Sequence, residues 1–412
     1  MAKILFFNTH DYDDIYASLS LVKELQKSGQ EIIYYTSAHH KDEIKNAGVV
    51  FRDYTHFTAP PSGPTLIERE SFIDVLYPTV FFNMKVRNKI IDLIYQDVEQ
   101  LKPDFIIYGH QSFWGKEIAR RLNIPAVCIY STMVITRELV YNEPQEFIRI
   151  CLGNLFAPSL KEIKHIYGTL NKVFKNMHGI GDFYEGLVAD GGLNIVMTSK
   201  FIQPFAASLD DKYQFAGYCP YPDKLKTPPP GEDLSNEDPL IYVAATPADK
   251  YHKNWNTKYY PILFNGLKDT PNKVVVNYQC ADQNFYDLPA TPRNFTVGAY
   301  RHHDQIIPGA DLVITNGTYT VVHEALLSGI PLIVIPVGGD QFMFAERVEN
   351  LKLGICIRHD QFSETSLQEA IAKIRSDENY RANCKHYGQT IRESNESGRA
   401  AKLILDYMKS RV

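Results

Sequence analysis

Cysteine is scarce and shows no pairing pattern: six among 412 residues, at positions 128, 151, 219, 280, 356 and 384, none in a Cys-x-x-Cys spacing. That spacing argues against a disulfide framework and against a thiolate zinc site, and it suits reduced thiols. No apolar run approaches the roughly 20 residues needed to cross a bilayer. Only four apolar residues stand between Met1-Ala2-Lys3 and Asn8, too few for a secretory leader, so a cytoplasmic chain without a transmembrane segment is expected. A basic excess is missing as well: 43 Lys and Arg against 48 Asp and Glu leave a net charge of −5, which gives no reason to expect nucleic acid as a partner. Internal repeats and low-complexity tracts are absent. What remains is 44% hydrophobic and 22% charged, the balance of a folded globular chain.

The length suits two domains of roughly 200 residues each. In the first half, apolar runs at Ile4 to Phe7, Glu31 to Tyr35, Val49 to Phe51, Phe105 to Tyr108 and Ala126 to Tyr130 alternate with helical spacing at Ile15 to Leu25, Val86 to Leu101 and from about Phe113. Unbroken apolar strands joined by helices predict a parallel, doubly wound α/β sheet. The aromatic-rich stretches Thr55 to Pro78 and Val134 to Gly181 read as insertions that shape a pocket or lid. Residues 218–238, with Pro228-Pro229-Pro230-Gly231, read as a linker between a domain over 1–217 and a second over 239–395. The second repeats the alternation, with strands at Leu240 to Ala244, Val274 to Val276, Phe295 to Val297, Leu312 to Ile314, Leu332 to Ile335 and Ile355 to Ile357. The two sheets are expected to face each other across a cleft.

The most informative stretch is 311–341. A strand ends in Asn316-Gly317-Thr318, where Gly317 permits close backbone approach, and a helix from about 318 to 328 directs its N-terminus above the sheet. Unpaired N–H groups and the positive end of the helix dipole favour an anion such as a phosphate there. The next strand delivers Asp340-Gln341 to the same edge, and a carboxylate beside an amide suits sugar hydroxyls.

These residues resemble the donor-binding signature of UDP-glycosyltransferases, in particular the bacterial macrolide-glycosyltransferase-like branch. The resemblance extends through Ile4 to Thr36, Leu101 to Tyr130, Leu240 to Pro247 and Phe295 to Gly317. It implies a GT-B fold of two Rossmann-like domains, with a C-terminal helix in 396–412 returning to the first. It further implies donor-binding duties for Thr246 near the phosphates, Arg301 and His302 at the nucleobase, and the Asn316-Gly317-Thr318 turn with Thr320 at the diphosphate. Glu324 would receive the ribose, and Asp340 and Gln341 the hexose. The chain departs from the family where chemistry is done. The family histidine that acts as base aligns with Asp14, and its partner aspartate with Gly109, beside His110.

One reading is an exchanged pair in which His110 is the general base and Asp14 orients it; others make Asp14 or His10 the base. Asp11, Asp13 and Asp14 also suit the cap of the first helix. Phe82, Trp114 and Tyr141 are acceptor-pocket candidates among the aromatic insertions. The expected function is inverting transfer of a hexosyl group from a UDP- or dTDP-linked sugar to a hydroxyl of a hydrophobic small molecule. No metal and no cofactor beyond the nucleotide-sugar co-substrate, most simply a UDP-sugar, would be needed, and the chain would be a monomer or weak dimer. A transferase-like binding or auxiliary protein without turnover is the alternative.

Overall fold

A computed structural model describes residues 1–9, 11–54, 71–152, 157–178, 182–218, 239–244, 258–278, 290–298, 303–394 and 398–411. The linker beyond Tyr218 lies outside them, as do His10, Thr246, Arg301 and His302.

The N-terminal lobe runs β1 (Lys3–Phe7), α1 (Tyr12–Lys27), β2 (Glu31–Thr36), α2 (Lys41–Asn46), β3 (Val50–Asp53), α3 (Phe72–Leu101), β4 (Phe105–Gly109), α4 (Phe113–Leu122) and β5 (Ala126–Tyr130). Helices α5 (Arg137–Asn142), α6 (Pro144–Leu152) and α7 (Leu160–His178) follow, then β6 (Asn194–Val196) and β7 (Tyr213–Phe215). The strands form one sheet in the order β3-β2-β1-β4-β5-β6-β7, with every pairing parallel. Ile4 to Phe7 and Phe105 to Tyr108 are buried throughout, because helices cover both faces of the sheet and leave no polar side.

The C-terminal lobe comprises β8 (Leu240–Ala244), α8 (Tyr260–Leu267), β9 (Lys273–Asn277), β10 (Phe295–Gly298), α9 (His303–Ile306), β11 (Leu312–Thr315), α10 (Tyr319–Ser328), β12 (Leu332–Val334), α11 (Gln341–Asn350), β13 (Gly354–Cys356), α12 (Glu364–Ser376) and α13 (Asn379–Ser394). Its sheet is likewise parallel, in the order β10-β9-β8-β11-β12-β13. The last helix, α14 (Arg399–Lys409), buries Ala400, Ala401 and Ile404 and packs on α1, and Tyr407 meets Phe105 edge-on at 6.3 Å.

Two features differ from the sequence reading. Helix α3 begins at Phe72 rather than near Val86 and carries Pro78 within it; Ser71 caps it by accepting from the Asp74 N–H at 3.4 Å. Strands β6 and β7 go unread in the sequence because three residues are too few to show periodicity, although Asn194, Ile195 and Val196 are fully buried.

Candidate active site

The cleft side of the N-terminal lobe is built where β1 ends and α1 begins. Asp11 is the N-cap of α1 and accepts from the Asp13 N–H at 2.9 Å, which sets Asp13 and Asp14 in the first turn. Asp14 is 6% exposed. One carboxylate oxygen accepts from Thr9 Oγ at 2.6 Å, and the other accepts from the Ser131 hydroxyl just past β5. The Asp14 carbonyl takes a hydrogen bond from Asn8 Nδ2 at 3.0 Å, and the same amide nitrogen donates to Tyr34 Oη at 3.0 Å.

Asn8 also explains the departure at Gly109. A Cβ built on Gly109 would lie 2.5 Å from Asn8 Oδ1, so no side chain fits there while Asn8 keeps its place. An aspartate at 109 would thus require the Asn8 side chain, just past the end of the neighbouring strand β1, to shift.

His110 follows immediately. It is 7% exposed, its ring stacks on Tyr130 with centroids 5.1 Å apart, and Nδ1 has no hydrogen-bond partner among the described residues. Burial pushes its pKa down to about 4, against a smaller upward pull from Asp11. The imidazole is thus neutral near pH 7 and offers an acceptor nitrogen. His110 and Asp14 come to adjacent strand ends, but the carboxylate bonds named above go to Thr9 and Ser131, and none of the observed bonds joins the two side chains.

Across the cleft, β11 ends in the buried Asn316, and Gly317 adopts φ +92°, with Val334 Cγ1 only 2.9 Å from where a Cβ would stand. Both facts require glycine at this position. Thr318 is the N-cap of α10 but makes no side-chain cap bond. The first turn is served instead by Asp13 from the other lobe, which accepts from the Thr320 N–H at 3.3 Å and from the Thr320 hydroxyl. Burial, then Asp11, push the Asp13 carboxyl up to about 8, while the Thr320 bonds pull it down.

Asp340 accepts from the hydroxyl of Thr132, again from the N-terminal lobe, and burial raises its pKa to about 6. Gln341 Oε1 accepts from the N–H groups of Val337 at 3.0 Å and Gly338 at 3.2 Å, so the oxygen orders this loop and the NH2 end carries the donor capacity. Glu324 is buried and accepts from Tyr218 Oη at 2.6 Å, and Tyr218 itself stacks on His323 at 4.7 Å.

The structure therefore brings Asp14, His110, Thr320 and Asp340 to facing edges of the two sheets, and it sets Glu324 inside packing shared with the end of the first lobe. The aromatic candidates divide. Tyr141 joins a cluster with Tyr167 and Phe183 at 5.6 and 5.5 Å, and Tyr77 of α3 lies 5.8 Å from Phe174 of α7. Phe82 is half-buried on α3. Trp114, on α4, instead donates to Tyr54 Oη at 3.0 Å, meets that ring edge-on at 5.3 Å and is buried. Ser131 and Thr132 were not anticipated, and Asp13 was anticipated only as a capping residue. The available signal was a pair of hydroxyl residues directly after a buried parallel strand, at the sheet edge where ligands bind.

Two facing parallel-sheet lobes with this cleft define a GT-B fold. The calicheamicin glycosyltransferase CalG4 superimposes over 99% of this chain and 98% of its own, with a TM-score of 0.74 at 24% identity. The spinosyn rhamnosyltransferase SpnG, solved with thymidine diphosphate, gives a TM-score of 0.70 at 15% identity, over 98% of this chain and 99% of its own. In sequence, residues 263–397 match the family described as erythromycin biosynthesis protein CIII-like, C-terminal domain. A relative described as the uncharacterized UDP-glucosyltransferase YojK of Bacillus subtilis (strain 168) is 28% identical over the whole of this chain and 99% of its own. The chain thus has the GT-B fold, is similar over its whole length to a relative described as a UDP-glucosyltransferase, and carries in its C-terminal lobe a match to the erythromycin CIII-like family.

Proposed function

We propose that this protein transfers a hexosyl group, with inversion, from a UDP- or dTDP-linked sugar to a hydroxyl of a hydrophobic small molecule, without a divalent metal or a further cofactor. The observation that carries the reading is the first turn of α10. It lacks a cap of its own, follows the tight Gly317 turn, and holds an acidic oxygen on the Thr320 N–H and hydroxyl. A departing diphosphate presents oxygens of the same kind, and helix N–H groups stabilise developing negative charge without a metal. Asp340 holding a hydroxyl is likewise the bond expected toward a hexose.

SpnG has been solved with thymidine diphosphate and with the spinosyn aglycone, which supports a nucleotide donor and a large apolar acceptor for this chain too. His110 is the assigned base, because its imidazole is buried at the cleft and its Nδ1 has no partner among the described residues. Asp14, fixed by Thr9 and Ser131, supplies the negative charge of the site, and His10 is the further candidate.

The test is a panel of UDP- and dTDP-sugars with phenolic and macrolide acceptors, read by mass, with and without EDTA. Transfer that survives chelation is expected. A strict magnesium or manganese requirement, restored by adding the ion back, would count against placing the diphosphate on α10, and failure to bind any nucleotide would favour an auxiliary protein.

A further inference from the structure

Two of the described groups assigned to the donor, Thr320 and Asp340, are already occupied by the chain's own side chains. Thr320, at the diphosphate end, is bound by Asp13; Asp340, at the hexose end, is bound by Thr132. Both occupants come from the opposite lobe, and each matches the donor part expected at that place: an acidic oxygen where phosphate oxygens would lie, a hydroxyl where a sugar hydroxyl would lie. The two contacts use different elements, the first turn of α1 and the segment after β5, so the correspondence arises twice independently.

We propose that Asp13 and Thr132 are internal surrogates for the nucleotide sugar, and that the donor binds by displacing them. This deepens the donor assignment above and rests on it. The surrogates close the cleft when no donor is present and satisfy buried polar groups that would otherwise lack partners. They also set donor affinity, since each bond to the donor replaces an existing one rather than adding to the total. The two surrogates differ in what the donor must break: Asp13 holds two bonds, from the Thr320 N–H and hydroxyl, whereas Thr132 holds one, to Asp340. Asp13 is therefore the stronger determinant.

Calorimetric titration of UDP and UDP-glucose into the wild type, Asp13→Ala, Asp13→Asn and Thr132→Val tests this. Asp13→Ala should tighten UDP by about three- to tenfold, the worth of the hydrogen bonds that no longer compete. Asp13→Asn, which preserves shape and controls for folding, should tighten it less. Thr132→Val should tighten UDP-glucose and leave UDP unchanged, because UDP has no hexose to compete with Thr132. If the wild type binds UDP and neither Asp13 variant binds it more tightly, the surrogate role is wrong while the donor site stands. If Thr132→Val alters UDP and UDP-glucose equally, the hexose half is wrong. If wild type and variants bind neither compound nor their dTDP counterparts, the donor assignment fails, and the proposal with it.

Discussion

His110, the proposed base, is buried, and its Nδ1 has no hydrogen-bond partner among the described residues. Its pKa lies below the ordinary value of 6.5 because burial disfavours the imidazolium, so over neutral pH it is ready to accept a proton but weakly basic. His110→Ala is expected to lower turnover by roughly 10² to 10⁴ while hardly changing donor affinity, as removal of a general base does. Steady-state kinetics and donor titration separate the two effects; near-normal turnover would move the base to Asp14 or His10.

Asp13 titrates in the opposite sense. Its folded pKa, about 8, lies above its ordinary 3.8, so the fold favours the neutral carboxyl, with Asp11 and Asp340 as the acidic neighbours and Thr320 as the donor. The stability contributed by this group is complete below pH 3.8 and is lost as pH rises through 8. Asp13→Asn, neutral at every pH, should match the wild type near pH 4, then become progressively more stable by comparison up to pH 8, and level off beyond it. Urea midpoints at several pH values would reveal that widening gap, and a gap independent of pH would mean that Asp13 is ionised in the fold.

At the scale of elements, the β1 and β4 ends are fitted to each other through Asn8 and Gly109. Restoring the family's acidic residue by Gly109→Asp would drive its Cβ into Asn8 Oδ1, and overpacking of this kind costs about 1–3 kcal/mol, more with a buried charge. Asn8→Ala relieves the clash. The double variant should therefore lose less stability than the two single losses added together, a coupling that denaturation of all four proteins measures. Simple additivity would show that the strand ends adjust independently.

The same pair shows where sequence reasoning runs out. The central strands were legible because burial on both faces erases polar alternation, and the turn at Gly317 was legible because glycine stands between an apolar strand and a helix. The resemblance located Asp14 and His110. What no local pattern discloses is that Asn8 fills the space of a side chain at 109, or that Asp13 and Thr320 meet across 307 positions. Those facts depend on how two sheets are set against each other. The start of α3 was missed for a different reason: Pro78 reads as a helix breaker, and the Ser71 to Asp74 cap that overrides it lies upstream of the periodic stretch.

At the scale of the whole molecule, the lobes are also held together by contacts other than those of Asp13 and Thr132. Arg149 of α6 pairs with Glu346 of α11 at 2.9 Å, Tyr319 Oη donates to the Met197 carbonyl at 2.6 Å, and Phe201 packs against Tyr387 at 4.6 Å. Exposed ion pairs such as the first contribute little, so the buried phenol and the aromatic pair define the seam. Helix α14 adds a different kind of constraint. Because it packs on α1 and sets Tyr407 against Phe105, elements from opposite ends of the sequence complete a single lobe. During synthesis that lobe stays unfinished until the other has emerged from the ribosome. Until then the part of its first helix that α14 covers stays open to solvent.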